Sequence, residues 1–221
     1  MPSSRLPGLE EFLRDYPLMA FRPAQGAMTV VFGELAFRLR LANDTTVEDC
    51  FELKIEIPPD FPKALPQVTE LGKRIPKDGR HHVNPSDGTL CLGSPIRLLI
   101  ALAKKPTLVG FAENCLIPYL FAISQKLKNG KELQFGELAH GNQGLIADYM
   151  DIFGLRKPDQ ICMVISYLGM KKRRANKLPC PCGCKKRLGK CTFNFKIRQL
   201  RGVANRSWFR NHHRILCNNA F

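Results

Sequence analysis

Residues 50–68 read CFELKIEIPPDFPKALPQV, and the change of pattern inside this stretch decides the fold. Phe51, Leu53, Ile55 and Ile57 alternate with Glu52, Lys54 and Glu56, the period-two pattern of a half-buried strand. The strand then runs into PPDFPKALP, where four prolines in nine residues remove backbone donors and forbid regular structure. Upstream, ELAFRLRLA alternates the same way, with Leu35, Phe37, Leu39 and Leu41 opposite Ala36, Arg38 and Arg40. The turn-like ANDTTVED between them predicts antiparallel neighbours, and QVTEL a third short strand.

Helical periods flank these strands. Leu9, Phe12, Leu13 and Tyr16 form one apolar stripe closed by Pro17. GSPIRLLIALAKKP predicts a helix starting at Ser94, with proline in its first turn. TLVGFAENCLIPYLFAISQKLKNG predicts a longer one, kinked at Pro118 and ended by Gly130. GLIADYMDIFG and DQICMVISYLG add shorter helices stopped by glycine, and the basic FNFKIRQLRGVANRSWFRNHHRIL carries spaced apolar residues. The expected class is α+β: an antiparallel sheet with flanking helices, followed by a small basic C-terminal region.

Charge divides the chain. Residues 1–154 hold 17 Lys/Arg and 18 Asp/Glu, whereas residues 155–221 hold 17 Lys/Arg against Asp159 alone. We therefore expect two parts, 1–154 and 155–221, with different partners. No run approaches the ~18 uninterrupted apolar residues that span a bilayer, and MPSSRLPGLEEFL lacks the apolar core of a signal peptide. The expectation is a soluble, cytoplasmic chain without membrane contact, whose nine cysteines are free thiols and metal ligands rather than a disulfide framework. Cys50, Cys115 and Cys162 fall within strand or helix patterns and read as core residues.

Between bend and helix lies HHVNPSDGTLCLGSP, residues 81–95. Cys91 follows His81 by ten residues in a Gly88-Thr89-Leu90-Cys91-Leu92 setting. Together with the proline-rich bend, in which Phe61 takes the place of a tyrosine, this order resembles the core of ubiquitin-conjugating enzymes over roughly residues 5–130, and it is similar above all to divergent bacterial-type members. The resemblance implies that Cys91 carries the C-terminal acyl group of a ubiquitin-like modifier as a thioester. It would receive that group from an activating enzyme and yield it to an amine on a target protein, in systems that by analogy serve antiviral defence. It also implies supporting roles for His81, Asn84 and Asp87, with Ser86 and Asp87 near the incoming amine. One departure stands out. Where eukaryotic members follow the histidine with Pro-Asn, this chain has His82 and Val83, and Asn84 comes one residue late. His82, Asn84 or a backbone N–H is then left to stabilise the oxyanion. A catalytically silent scaffold of the same fold, binding a modifier or, through its basic tail, nucleic acid, is the alternative. His140, in a glycine-rich stretch, reads as structural.

LPCPCGCKKRLGKCT places Cys180, Cys182, Cys184 and Cys191 within twelve residues, a set able to hold tetrahedral zinc. It resembles the SEC-C motif, with its C-x-C pair and eight-residue spacer intact, but Thr192 stands at the last ligand position. The fourth ligand is therefore open between Cys184 and His212, His213 or Cys217. The basic tail suits either phosphates of nucleic acid or an acidic protein. Trp208, Phe209, Phe193 and Phe195 suit base stacking or a small metal-organised core.

Overall fold

In a computed structural model, residues 6–22, 28–40, 44, 46–130 and 141–217 are described. The chain separates into two compact units, residues 1–137 and 138–221. Charge divides the chain after 154 and packing divides it after 137. The difference is one helix.

The first unit is built on a four-stranded antiparallel sheet in the order β1 (Met19–Arg22), β2 (Thr29–Arg40), β3 (Thr46–Ile57), β4 (Gln67–Glu70). β2 and β3 are its spine, paired from Thr29↔Ile57 to Arg40↔Thr46. The alternation read from the sequence becomes a face: Val31, Leu35 and Phe37 of β2 lie buried beside Phe51, Leu53, Ile55 and Ile57 of β3. Leu35 sits directly opposite Phe51, and each such fully buried side chain contributes about 1.5–3 kcal/mol through removal from water. β1, which lacks a strong alternating signal, pairs with the first part of β2.

Helices cover this face. α1 (Leu9–Asp15) buries Phe12. α2 (Pro95–Leu102) starts after Ser94, whose side chain makes no cap to the helix although the residue is fully buried. α3 (Leu108–Phe111) is capped by the Thr107 hydroxyl, which accepts the Gly110 N–H at 3.1 Å. It continues through a π turn, Ala112–Leu116, into α4 (Ile117–Asn129). The irregularity at Pro118 takes the form of this preceding wide turn, where the helical ladder accommodates a residue with no N–H. The helix stops at Gly130, whose N–H bonds the Lys126 carbonyl at 2.9 Å. By length and composition Leu108–Asn129 could cross a membrane, but 72% of its apolar window is buried in the protein, where it serves as the core helix of the sheet.

The second unit is helical: α5 (Gly141–Phe153), α6 (Pro158–Gly169), α7 (Lys172–Ala175), α8 (Asn194–Leu200) and α9 (Arg206–Cys217). α9 packs along α6 and buries Phe209, His212 and Leu216, three positions on one helical face. His212 shares a hydrogen bond of 2.8 Å with the Tyr149 hydroxyl and stacks on Trp208 at 4.7 Å between ring centroids.

Two expectations about cysteines are corrected here. Cys162 and Cys217 form a disulfide joining α6 to α9, so neither is a free core thiol and Cys217 is no metal ligand. Cys50 is only half-buried and lies 3.8 Å from a carboxylate oxygen of Glu34. Cys115 is buried, as its helical pattern predicts. His140 lies outside the described residues.

Candidate functional site

The loop from Lys77 to Ser94 is held by hydrogen bonds within itself and to β4. It begins with a single 3-10 turn, Gly79–His81, capped by Asp78, whose carboxylate accepts the His81 N–H at 3.0 Å and meets His81 Nδ1 at 2.7 Å. These contacts hold the Asp78 carboxyl below the usual carboxylate range, the His81 side chain contributing most. His82 then takes a left-handed conformation, and Val83 turns inward to pair with Leu90 across the loop. On its outer side Thr89 bridges to Thr69 of β4, and the Leu90 N–H donates to the Val68 carbonyl at 2.8 Å.

The tip, Asn84 to Thr89, closes on itself. The Asn84 N–H donates to the Thr89 carbonyl and the Gly88 N–H to the Asn84 carbonyl, both at 2.8 Å. Gly88 is buried with φ of +73°, a conformation that side-chain-bearing residues resist. Asp87 folds back on its own turn, accepting the Thr89 hydroxyl at 2.6 Å and the Thr89 N–H at 2.9 Å. Those bonds hold its carboxyl below the usual range. The Asn84 carboxamide oxygen accepts from the Ser86 hydroxyl at 3.1 Å.

Cys91 emerges where this paired segment ends. Its N–H donates to the His82 carbonyl at 2.7 Å, which fixes its main chain, and the residue is exposed. The other described cysteines of the first unit, Cys50 and Cys115, are less exposed. Burial pushes the Cys115 thiol up to about 12. Burial and then Glu34 raise that of Cys50.

Tyr119 of α4, which the sequence reading did not single out, completes the loop's support. Its hydroxyl donates to the His81 carbonyl at 2.8 Å. Burial, then the negative charge of a Cys91 thiolate and that of Glu70, push this hydroxyl far up, so it remains a donor throughout the accessible pH range. The signal available in the sequence was a tyrosine near the centre of an otherwise apolar core helix.

The second unit holds a separate cluster. The Sγ atoms of Cys180, Cys182, Cys184 and Cys191 all lie within 4.8 Å of one another and could hold a metal ion. Cys182 to Cys191 is 3.7 Å and Cys184 to Cys191 is 3.6 Å. Those match the roughly 3.8 Å edge of a tetrahedron with 2.3 Å metal–sulfur bonds. Cys180 to Cys182 is shorter, at 3.2 Å. Gly183, at φ of +80°, turns the chain between the second and third thiols. The Phe193 N–H donates to Cys191 Sγ at 3.4 Å and, as the first cause, brings that thiol down to about 7. Burial drives Cys180 the other way.

Among the candidates for a fourth ligand, Cys184 is the one whose sulfur lies with those of Cys180, Cys182 and Cys191. His212 is engaged with Tyr149 and Trp208, Cys217 is disulfide-bonded, and His213 is not among the clustered donors.

Comparison with protein-family models, with curated proteins and with solved structures finds no match to this chain.

Proposed function

We propose that the first unit is a ubiquitin-conjugating-type acyl carrier with Cys91 as its thioester-forming residue. The observation that carries this reading is the exposure of Cys91 on a main chain anchored by its own N–H to the His82 carbonyl and by the Leu90 N–H to β4. A carrier thiol needs access to two large partners in turn, and a fixed position to present the acyl group. The element order (helix, antiparallel strands, proline-rich bend, loop, cysteine, helices) supports the same reading.

In the first step the Cys91 thiolate attacks the carbonyl carbon of the modifier's thioester on the activating enzyme. A new C–S bond forms, and the enzyme's own thiolate leaves. In the second step a target amine attacks the Cys91 thioester. A C–N bond forms through a tetrahedral oxyanion, the Cys91–carbon bond breaks, and the amine proton passes to a base.

Asp87, kept ionised by Thr89, is the carboxylate nearest in sequence able to take that proton or orient the amine. The Cys91 N–H is already taken by the His82 carbonyl, so the oxyanion donor would be the Asn84 NH2, His82 or another backbone N–H of the loop. His81 acts as a positioning residue, through Asp78 on its ring and Tyr119 on its carbonyl.

In the second unit, four clustered cysteine sulfurs favour zinc in a closed site, a structural ion with no open coordination position. A modifier, an activating enzyme and a target protein are the partners this reading requires.

The test is to mix the protein with ATP, a modifier and an activating enzyme already shown to charge its own cysteine. The reading predicts a thiol-sensitive adduct that Cys91→Ala abolishes and Cys115→Ala retains. One feature favours the silent-scaffold reading: the tip side chains of Asn84 and Asp87 are bonded within their own turn. No adduct, with modifier binding retained, establishes the scaffold instead.

A further inference from the structure

The cations of the second unit divide into two kinds. Lys196, Arg201 and Arg210 are structural. Lys196 donates to the carbonyls of Ile152 and Phe153 at the end of α5. Arg201 donates to those of Tyr167, Leu168 and Met170 at the end of α6, and Arg210 to that of Gly169. They cap helix C-termini, where cations belong. The unit's other Lys and Arg residues are exposed, and among the described residues none forms an ion pair with a carboxylate.

A group of these exposed cations lies on the segments that flank and include the cysteine cluster. Lys172 and Arg173 lie on α7; Lys185, Lys186 and Arg187 lie on the loop between Cys184 and Cys191. The two segments are tied together, with the Gly189 N–H donating to the Asn176 carbonyl at 3.0 Å and the Leu188 N–H to the Leu178 carbonyl at 2.8 Å. The turn Leu188–Lys190 packs on α8. There Phe195 stands 66% exposed, with exposed Arg198 one turn further along. The other aromatics proposed for stacking are withdrawn from solvent. Phe209 is buried, while Phe193 and Trp208 are half-buried.

We propose that the surface of α7, the cysteine loop and α8 binds single-stranded nucleic acid, with phosphates on the loop and α7 cations and a base stacked on Phe195. An unpaired aromatic ring beside uncompensated cations is what unstacked bases on a phosphate chain require. An acidic protein is the poorer fit. Protein interfaces centre on a contiguous apolar patch and are depleted in lysine. This unit exposes only Phe195 and Ile215 among its described large apolar side chains. The proposal is independent of Cys91.

The experiment is fluorescence anisotropy of a labelled short oligothymidylate titrated with the full chain over a range of salt. With about five phosphates engaged, log K should fall against log salt with a slope of roughly −3.5. Phe195→Ala should weaken binding about tenfold at unchanged slope, and Phe195→Leu, which keeps apolar bulk without the ring, should do the same. Replacing Lys185, Lys186 and Arg187 with alanine should flatten the slope by about 2. All these positions are exposed, and unchanged Trp208 emission checks the fold. Cys91→Ala should leave binding intact. No saturable binding at low salt, full affinity in both Phe195 variants, or an unaltered slope in the triple variant each overturns the proposal. Polyglutamate competing as well as the oligonucleotide at equal charge also overturns it, and assigns the surface to an acidic protein.

Discussion

The Tyr119 hydroxyl reaches across 38 residues of chain to the carbonyl of His81, and so couples the core helix to the loop that presents Cys91. Tyr119→Phe keeps the ring packed and deletes only this donor. We expect a stability loss of about 1 kcal/mol in urea unfolding, together with slower charging of Cys91. Unchanged charging would show that the loop holds its position without α4.

Thiol accessibility separates the cysteines. In the native protein a thiol reagent should modify Cys91 promptly, whereas Cys115, buried and pushed up to about 12, should react only after unfolding. Peptide mapping after a brief alkylation reads the result.

Asp49 makes the first unit acid-sensitive. Burial raises its carboxyl, but bonds from Ser124, Arg74, the Cys50 N–H and Lys128 outweigh that and hold it well below its ordinary 3.8. A depressed carboxylate contributes stability that is complete above the unfolded value and is lost as pH falls below about 3.8. Asp49→Asn should cost about 2 kcal/mol at neutral pH and reduce the slope of stability against pH in that acid window.

His212 acts at higher pH in the second unit. Burial lowers it from 6.5 to about 4, so the folded state prefers the neutral ring. Its contribution is complete above pH 6.5 and falls as pH drops from 6.5 toward 4, by about 1.4 kcal/mol per unit. Trp208, the chain's single tryptophan, stacks on His212 and should report this loss by fluorescence. His212→Phe should remove the pH dependence.

The parts of this architecture that the sequence revealed are those with a local period. Phe51 to Ile57 and Leu35 to Leu39 announce β3 and β2, Pro118 marks a helix irregularity, and Cys180 to Cys191 are close enough in the chain to cluster without a fold. What stayed hidden depends on residues far apart in sequence. β1 has four residues, mostly exposed, and acquires its identity by pairing with β2. Cys162 and Cys217 lie 55 residues apart, and only the packing of α9 on α6 joins them. His212 looks like a metal ligand until Tyr149 and Trp208 are placed around it. Among Phe193, Phe195, Trp208 and Phe209, composition alone could not say which ring remains outside.

The cysteine cluster predicts about one zinc per chain by elemental analysis, lost in the Cys182→Ser, Cys191→Ser double variant. Chelation of the wild type should lower the thermal stability of the second unit, followed through Trp208. Metal-free protein with all four thiols freely titratable would remove the zinc.

The most direct measurement is intact mass after charging of a Cys91→Ser variant. Serine at this position should trap the modifier as an ester that survives thiol treatment, with the mass of both chains less one water and the linkage mapping to residue 91. A wild-type adduct that persists in Cys91→Ala, or that maps to Cys184 or a lysine, would contradict the assignment of Cys91 as the acyl carrier.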